Sequence, residues 1–399
     1  MKSSRLICTA CGKEYSDECF RCECGEPLEV VIEMKRTVKI RSQRPGILES
    51  FSDFLPGLED KNFLSLGEGF TPLTRLDDKD SSGMELYAKN ESINPTWSFK
   101  DRGSYLAVLD AIRRGYNHIG TVSTGNMAAS VAAYGKRAGL KTTILVSDSI
   151  PDEKVSPISI YGSRIIKVTG DYGQLYYDSL EAGKNSGIYF ANSDVPMRVE
   201  GSKTIAFEIF IQLGERVPDF VIVPTSSGGN VRGIEKGFRE LRDSKLSVSI
   251  PRMIVAQAAG CSPIDLAFSS RASTITRFHN PKTIAHSIEN PFPPSGNAVL
   301  RMLKRNGGAT VAIDESSILK AQKSLANNGL FVQPASAVAY AAISKLREEI
   351  DVRKALVVVV LTGSGLKYPA ILKEHPSFIE STSLEFLEEI LKGNQNFID

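Results

Sequence analysis

The sequence predicts an α/β protein built on parallel sheets, with a small cysteine-rich module ahead of it. Three observations carry this reading. Short β-rich runs alternate with helical patterns along most of the chain, as in strand–helix–strand units joined by right-handed crossovers. Three of the strands run directly into Gly/Ser-rich turns that precede or open helices: Ser123–Asn126, Thr225–Asn230 and Thr362–Gly365. Five of the 6 cysteines, Cys8, Cys11, Cys19, Cys22 and Cys24, cluster at the N-terminus.

The cysteine module comes first in the chain. Clustered thiols at short spacing suit a tetrahedral S4 metal site better than a disulfide framework, which would be spread through a small secreted domain. Cys8-Thr9-Ala10-Cys11-Gly12 has the usual knuckle spacing, and Cys22-Glu23-Cys24-Gly25 is one residue short. Glycine after each pair fits the tight bend around a metal. Cys19-Phe20-Arg21-Cys22 offers another second pair, so the fourth ligand lies between Cys24 and Cys19. The set expected is Cys8, Cys11, Cys22 and Cys24 around a structural zinc, against a ribbon that folds without metal.

Strands are expected at Glu85–Lys89, His118–Ser123, Thr142–Ser147, Ser163–Thr169, Ile188–Asn192, Phe220–Pro224, Met253–Gln257 and Leu356–Leu361. Helices are expected at Ser104–Arg114, Met127–Ala138, Leu175–Asn185, Lys203–Leu213, Asn230–Leu241, Ile318–Asn327 and Ala335–Glu348. Phe378–Asp399 reads as an acidic amphipathic helix with a frayed end. In open α/β sheets ligands sit at the carboxyl ends of strands, which directs attention to the three turns.

Composition narrows the function. A formal net charge of +2, from 48 basic and 46 acidic residues, leaves no electrostatic footprint for nucleic acid or an anionic membrane. The run Ala355–Leu361 is too short to span a bilayer, and no apolar signal segment follows Met1. A cytoplasmic location is expected. The histidines are scattered without ligand spacing and carry no expected role.

Two features point to chemistry. The Thr225–Asn230 turn lets consecutive backbone N–H groups converge on an anion at a helix N-terminus, although an ordinary tight turn has the same composition. Lys100 lies in Asn94-Pro95-Thr96-Trp97-Ser98-Phe99-Lys100-Asp101-Arg102-Gly103, just ahead of the helix expected from Ser104. A helix dipole and Arg102 would disfavour its ammonium and lower its pKa, as a Schiff-base nucleophile requires; the plain alternative is a surface lysine.

Asn94–Gly103 resembles the Schiff-base motif of the threonine synthases, NPTGSFKDRG, with Trp97 in place of glycine. The resemblance continues through Leu66–Leu73 (LGEGxTPL), Ser123–Asn126 (STGN), Ala191–Ser193 with Arg198–Thr204, Thr225–Asn230, and Leu361–Lys367. Six ordered motifs over about residues 8 to 367 are more specific than any one of them.

The resemblance implies the fold type II architecture of pyridoxal-phosphate (PLP) enzymes, tryptophan synthase beta-like. It has two parallel-type α/β domains with the cofactor in the cleft between them. The implied division is a ribbon over 1–32, a larger PLP-binding domain over 33–100 and 205–385, a smaller mobile domain over 101–204, and a tail over 386–399. Lys100 would carry PLP, Asn126 would bond the ring hydroxyl, and Thr362 would face the pyridine nitrogen. Thr225, Ser226, Ser227, Gly228 and Gly229 would bind the cofactor phosphate. Ser123 and Thr124 would cradle the substrate carboxylate, while Asn192, Ser193 and Arg198 would hold the phosphate of O-phosphohomoserine. The implied reaction turns that substrate and water into L-threonine and phosphate, and a homodimer is the expected assembly.

Four places depart from the family pattern: Trp97, Ser226-Ser227 for glycine, Gln333 for glutamate, and a loose match over Ala285–Pro291. They leave room for another phosphorylated amino acid such as phosphoserine, for a serine/threonine dehydratase, or for a catalytically silent relative that acts as a binding module.

Overall fold

The computed structural model describes residues 4–384 apart from 17–18, 34–37, 42–45, 62, 78–82, 124, 149–157, 350–352 and 376–382. Most of the expected C-terminal helix, and the whole 386–399 tail, therefore lie outside the described residues, as does Thr124. Residues to Lys367 form one body, and Tyr368 begins a second small unit whose described part is a 3-10 turn at Pro369–Glu374.

The first body opens with strands β1 (Ser4–Cys8), β2 (Glu14–Tyr15) and β3 (Leu28–Ile32), followed by the short helix α1 (Ile47–Ser50). Strands β4 (Leu73–Leu76) and β5 (Glu85–Asn90) lead to helix α2 (Lys100–Arg113). Next come β6 (His118–Val122), α3 (Asn126–Arg137), β7 (Lys141–Ser147), β8 (Arg164–Val168), α4 (Tyr172–Ser186) and β9 (Tyr189–Phe190). Helix α5 (Pro196–Gln212), β10 (Phe220–Pro224), α6 (Gly229–Asp243), β11 (Arg252–Ala258), α7 (Pro263–Ser269) and α8 (Gly296–Asn306) follow. Strand β12 (Ala309–Ile313), α9 (Glu315–Asn327), α10 (Pro334–Glu349) and β13 (Leu356–Leu361) complete the body.

These strands make three sheets. The N-terminal sheet is antiparallel, in the order β2-β1-β3. The largest has six strands, β12-β11-β10-β13-β5-β4, parallel except for β4 at its edge, and the third has four parallel strands, β8-β7-β6-β9. The α/β class with parallel sheets is as the sequence predicts. Phe-Val-Ile-Val-Pro in β10 and Leu-Val-Val-Val-Val-Leu in β13 are buried at every position, because a parallel strand covered by helices on both faces has no solvent side.

Caps and small residues set the helices. Asp171 accepts from the Gln174 amide at the start of α4, and Gly187 closes that helix in the left-handed conformation. Helices α2 and α5 cross where each carries a glycine: a Cβ on Gly201 would sit 2.3 Å from the Arg102 carbonyl oxygen, and one on Gly103 would sit 3.1 Å from Arg198 Cα.

Two helices begin earlier than the sequence pattern suggests. Helix α2 starts at Lys100 rather than near Ser104, since the Asp101 carboxylate takes the Thr96 amide and hydroxyl and folds the preceding loop onto the first turn. Helix α5 starts at Pro196 rather than Lys203, with proline in the first turn. Its early residues read as polar in sequence, yet Glu200 and Lys203 are buried in an ionic cluster with Lys236 and Glu240. Strands β4 and β12 and helices α7 and α8 are further elements beyond those expected.

The N-terminal sheet docks on the six-stranded part through Arg239–Glu29 and Arg301–Glu26. None of its cysteines forms a disulfide among the described residues.

Candidate active site

The loop that carries Lys100 is sewn to the turn after β13. The Phe99 amide donates to the Thr362 carbonyl at 3.1 Å, and the Ser364 amide to the Trp97 carbonyl at 3.0 Å. Lys367 Nζ adds a bond to the Thr96 carbonyl at 2.7 Å. Beside this seam the Thr362 and Ser336 hydroxyls lie 3.0 Å apart, and Ser336 also bonds both backbone groups of Gly363.

Lys100 lies over the Phe99 ring, its Nζ 4.4 Å from the centroid, and forms no ion pair among the described residues. Burial, and then the Arg198 charge, push its pKa down to about 7. A substantial fraction of the amine is therefore neutral at physiological pH, the form that a nucleophile and base require. The cation responsible is not Arg102. That guanidinium is buried between Glu91 and Glu208, which consume its charge, and it anchors the Gly69–Thr71 segment through the Thr71 hydroxyl.

Arg198 stands in the first turn of α5. Its Nη1 donates to Ser104 Oγ at 2.9 Å and its Nη2 to the Lys100 carbonyl at 3.2 Å. No carboxylate pairs with it among the described residues, and burial lowers its pKa to about 10. The Asp101 charge offsets only part of that burial, and a buried guanidinium outside any ion pair gains from an arriving anion.

The Thr225–Asn230 turn forms a second anion cradle. Thr225, Ser227, Gly228 and Gly229 are buried and Ser226 half-buried. The amides from Ser226 to Val231 make no backbone hydrogen bond among the described residues, and they surround the N-terminus of α6. Gly228 adopts φ +92° and a Cβ there would strike Val299 and Ser295, so only glycine fits. The two buried side-chain polar atoms of Asn230 also lack partners. A Cβ on Gly229 would sit 2.6 Å from the Ser193 carbonyl oxygen, so this cradle abuts the Ala191–Val195 segment.

Ser193 is half-buried at that junction. Asn192 has a different disposition: its oxygen accepts from the Val122 amide at 2.9 Å, and its nitrogen donates to Ser179 Oγ at 2.8 Å and to the Tyr176 carbonyl at 3.2 Å. Its side chain ties the end of β6 and helix α4 to the segment after β9.

Asn126 opens α3 and exchanges two hydrogen bonds with Gln333, at 2.9 and 3.2 Å, joining the four-stranded part to the start of α10. Ser123 Oγ accepts from the Gly125 amide. The buried Ser98 hydroxyl, two residues before Lys100, has no partner among the described residues. Taken together, these groups fit a phosphate-bearing aldehyde cofactor: a neutral amine, an amide-lined cradle for its phosphate, and unpaired polar atoms beside it.

The N-terminal cysteines also converge. The Sγ atoms of Cys8, Cys11, Cys22 and Cys24 lie within 4.8 Å of one another, with Cys8–Cys24 and Cys11–Cys22 at 3.6 Å; Cys19 stands outside the group. A tetrahedral zinc with Zn–S near 2.3 Å places its sulfurs about 3.8 Å apart, so the cluster has the right size.

Residues 64–363 match the pyridoxal-phosphate dependent enzyme family. The chain is similar to the threonine synthase of Methanocaldococcus jannaschii, 40% identical and covering 96% of this chain and 98% of the relative. It is similar also to the threonine synthase of Methanosarcina acetivorans, at 33% identity over 97% of this chain and 98% of the relative. Among solved structures, maize serine racemase superposes with a TM-score of 0.66 at 21% identity, over 76% of this chain and 91% of its own. Threonine deaminase isoform 2 of Solanum lycopersicum superposes with a TM-score of 0.65 at 20% identity, over 76% and 87%. At such identities these two likenesses speak for the fold.

Proposed function

Because the chain belongs to the pyridoxal-phosphate dependent enzymes and, within them, to the threonine synthases, we propose that it converts O-phospho-L-homoserine and water into L-threonine and phosphate with Lys100 as its central residue. The observation that carries this reading is the pairing of a depressed lysine with a buried arginine that forms no ion pair among the described residues. A dehydratase acting on serine has no phosphate to hold and no use for that arginine.

Lys100 would hold the cofactor, with its phosphate in the Thr225–Gly229 cradle, its ring hydroxyl at Asn126 and its nitrogen toward Thr362. When bound, PLP supplies an electron sink for the pair left at Cα. A hydroxyl rather than a carboxylate at Thr362 would leave the ring nitrogen largely unprotonated and so temper that sink. Lys100, in its neutral form, would take the protons that leave Cα and Cβ, and would return one to Cγ once phosphate has departed and one to Cα at the end. Arg198 gives the substrate phosphate a charge-assisted, two-pronged contact and stabilises it as it leaves from Cγ. Water then adds at Cβ. Ser193 joins that contact, and we assign Asn192 to holding Ser193 in place. Ser123 and Thr124 would take the substrate carboxylate.

In the same reading the six-stranded sheet belongs to the larger domain (33–100 and 205–385) and the four-stranded sheet to a smaller, mobile one (101–204). Cys8, Cys11, Cys22 and Cys24 would hold one structural zinc, closed by four sulfurs and so taking no part in the chemistry itself. The cytoplasm is the proposed location, and a homodimer the proposed assembly, readable from the mass in solution.

The test is phosphate release from purified, PLP-loaded protein offered O-phosphohomoserine, phosphoserine, serine or threonine. Turnover of the first alone, with threonine as product, is the expected result. Preference for phosphoserine, ammonia from serine or threonine, or no turnover at all would replace the reading.

A further inference from the structure

Arg21, the residue before Cys22, points out of the cysteine module and into the catalytic body. Its side chain is 11% exposed. Nε and Nη2 donate to the Gly25 carbonyl, at 3.0 and 2.6 Å, which ties the guanidinium to the turn following Cys24. Nη2 also donates to the Pro294 carbonyl at 2.8 Å, and Nη1 to Asp194 at 2.9 Å. One planar fork thus touches the cysteine turn, the segment after β9, and the loop before α8, and an arginine can do this because its five donors lie in fixed directions.

Asp194 is the informative partner. It is 1% exposed, and besides Arg21 it accepts from the Tyr176 and Ser295 hydroxyls. Ser295 in turn donates its amide to the Ser227 carbonyl at 3.0 Å, within the cradle proposed for the cofactor phosphate. Ser193, beside Asp194 in sequence, abuts Gly229 of that cradle. The Asp194 carboxylate therefore stands behind the place where the two anion sites meet. Without Arg21 it would remain buried with its ion-pair partner gone, and such a charge moves toward water instead of holding its backbone still.

Resting on the function proposed above, we infer that Arg21 is a positioning residue for the substrate-phosphate segment, acting through Asp194 and coupling the folded cysteine turn to the grip on the phosphorylated substrate. The ribbon is then a working part of the active site, reaching it through one side chain.

The experiment uses the full-length, PLP-loaded protein and its Arg21→Ala, Arg21→Lys and Asp194→Asn variants. Four quantities are read: kcat, KM for O-phosphohomoserine, the dissociation constant of inorganic phosphate by calorimetry, and cofactor and zinc content. Arg21→Ala is expected to keep cofactor and metal while KM and the phosphate dissociation constant rise together, roughly 3- to 30-fold. Arg21→Lys should recover only part of this, lacking the fork. Asp194→Asn, which leaves the ribbon untouched, should behave like Arg21→Ala and carries the test if the latter does not fold. A role confined to stability would lower the active fraction, and hence kcat, with KM and phosphate affinity unchanged; that result overturns the inference. Phosphate affinity is measured without turnover, so a wild-type protein that rejects O-phosphohomoserine would refute the proposed reaction while this comparison still decides the role of Arg21.

Discussion

Arg198 donates to the carbonyl of Lys100, so the guanidinium beside the reactive amine is fixed to the backbone of the residue whose charge it opposes. The two lie far apart in sequence and meet because Gly103 and Gly201 let helices α2 and α5 touch at their backbones. Arg198 serves two ends in the proposed reaction: it lowers the pKa of Lys100, and it would offer a charge to the substrate phosphate.

Replacing Arg198 by alanine should separate these ends. Loss of a charge-assisted phosphate contact of about 2–4 kcal/mol should reduce kcat/KM by some ten- to several-hundred-fold. The acidic limb of the pH–rate profile should also move to higher pH in the variant, since the repulsion that disfavours the Lys100 ammonium is gone. Retained cofactor absorbance with both changes is the expected record; full activity would mean that the phosphate pocket lies elsewhere.

The pH dependence of stability follows from the same amine. In cofactor-free protein, burial and then Arg198 lower the Lys100 pKa from 10.5 to about 7. Between those values the unfolded chain binds more protons at this residue than the folded one, so its contribution to stability becomes more favourable as pH rises. Below about 7 both states are protonated and the full penalty of the buried cation is felt. Lys100→Met should therefore raise Tm most at acidic pH, by a margin that shrinks toward pH 10.5. A margin independent of pH would contradict the shift.

Trp97 occupies the left-handed region at φ 63°, where the resembling motif has glycine, and its side chain is 48% exposed. The strain of a side chain in that region, roughly 1–2 kcal/mol, is only partly offset by the entropy a glycine would lose on folding. Trp97→Gly should stabilise the protein by up to about 1 kcal/mol, seen as a higher denaturant midpoint. A lower midpoint would mean that the indole ring holds the Lys100 loop in place.

Single Cys→Ser variants test the metal reading. Cys24→Ser should lose zinc, and Cys19→Ser, altering a thiol outside the cluster, should retain one zinc per chain. Removal of zinc should loosen the three-stranded sheet and leave the cofactor band in place, because four sulfurs close the site. The opposite pattern of loss would assign the fourth ligand to Cys19.

Legibility in sequence followed distance along the chain. The Lys100 loop and the Thr225–Asn230 turn could be read because their chemistry lies in consecutive residues. Strands β10 and β13 could be read because burial on both faces leaves unbroken apolar runs. Arg102 was the wrong cation, since its partners Glu91 and Glu208 come from other elements and only the fold brings them to it. Asn192 sits in the expected segment, but its amide is engaged by Val122 and Ser179, which no local pattern announces. Ser336, Asp194 and Arg21 carried no motif. Strands β4 and β12 are short and partly exposed, and α5 began early because its polar residues are paired with one another in the interior.

The seam between Phe99 and Thr362 has a further consequence, for biosynthesis. Strand β13 occupies an interior place in its sheet, between β10 and β5, yet leaves the ribosome after every other strand described. Until it inserts, the turn that braces the lysine loop does not exist, and neither does the full enclosure that lowers the pKa of the amine. A nascent chain carries Lys100 as an ordinary, protonated and unreactive lysine through most of its synthesis. Reactivity toward aldehydes, including stray metabolites, arrives only when the sheet closes around its last strand, a long-range step of the slow kind.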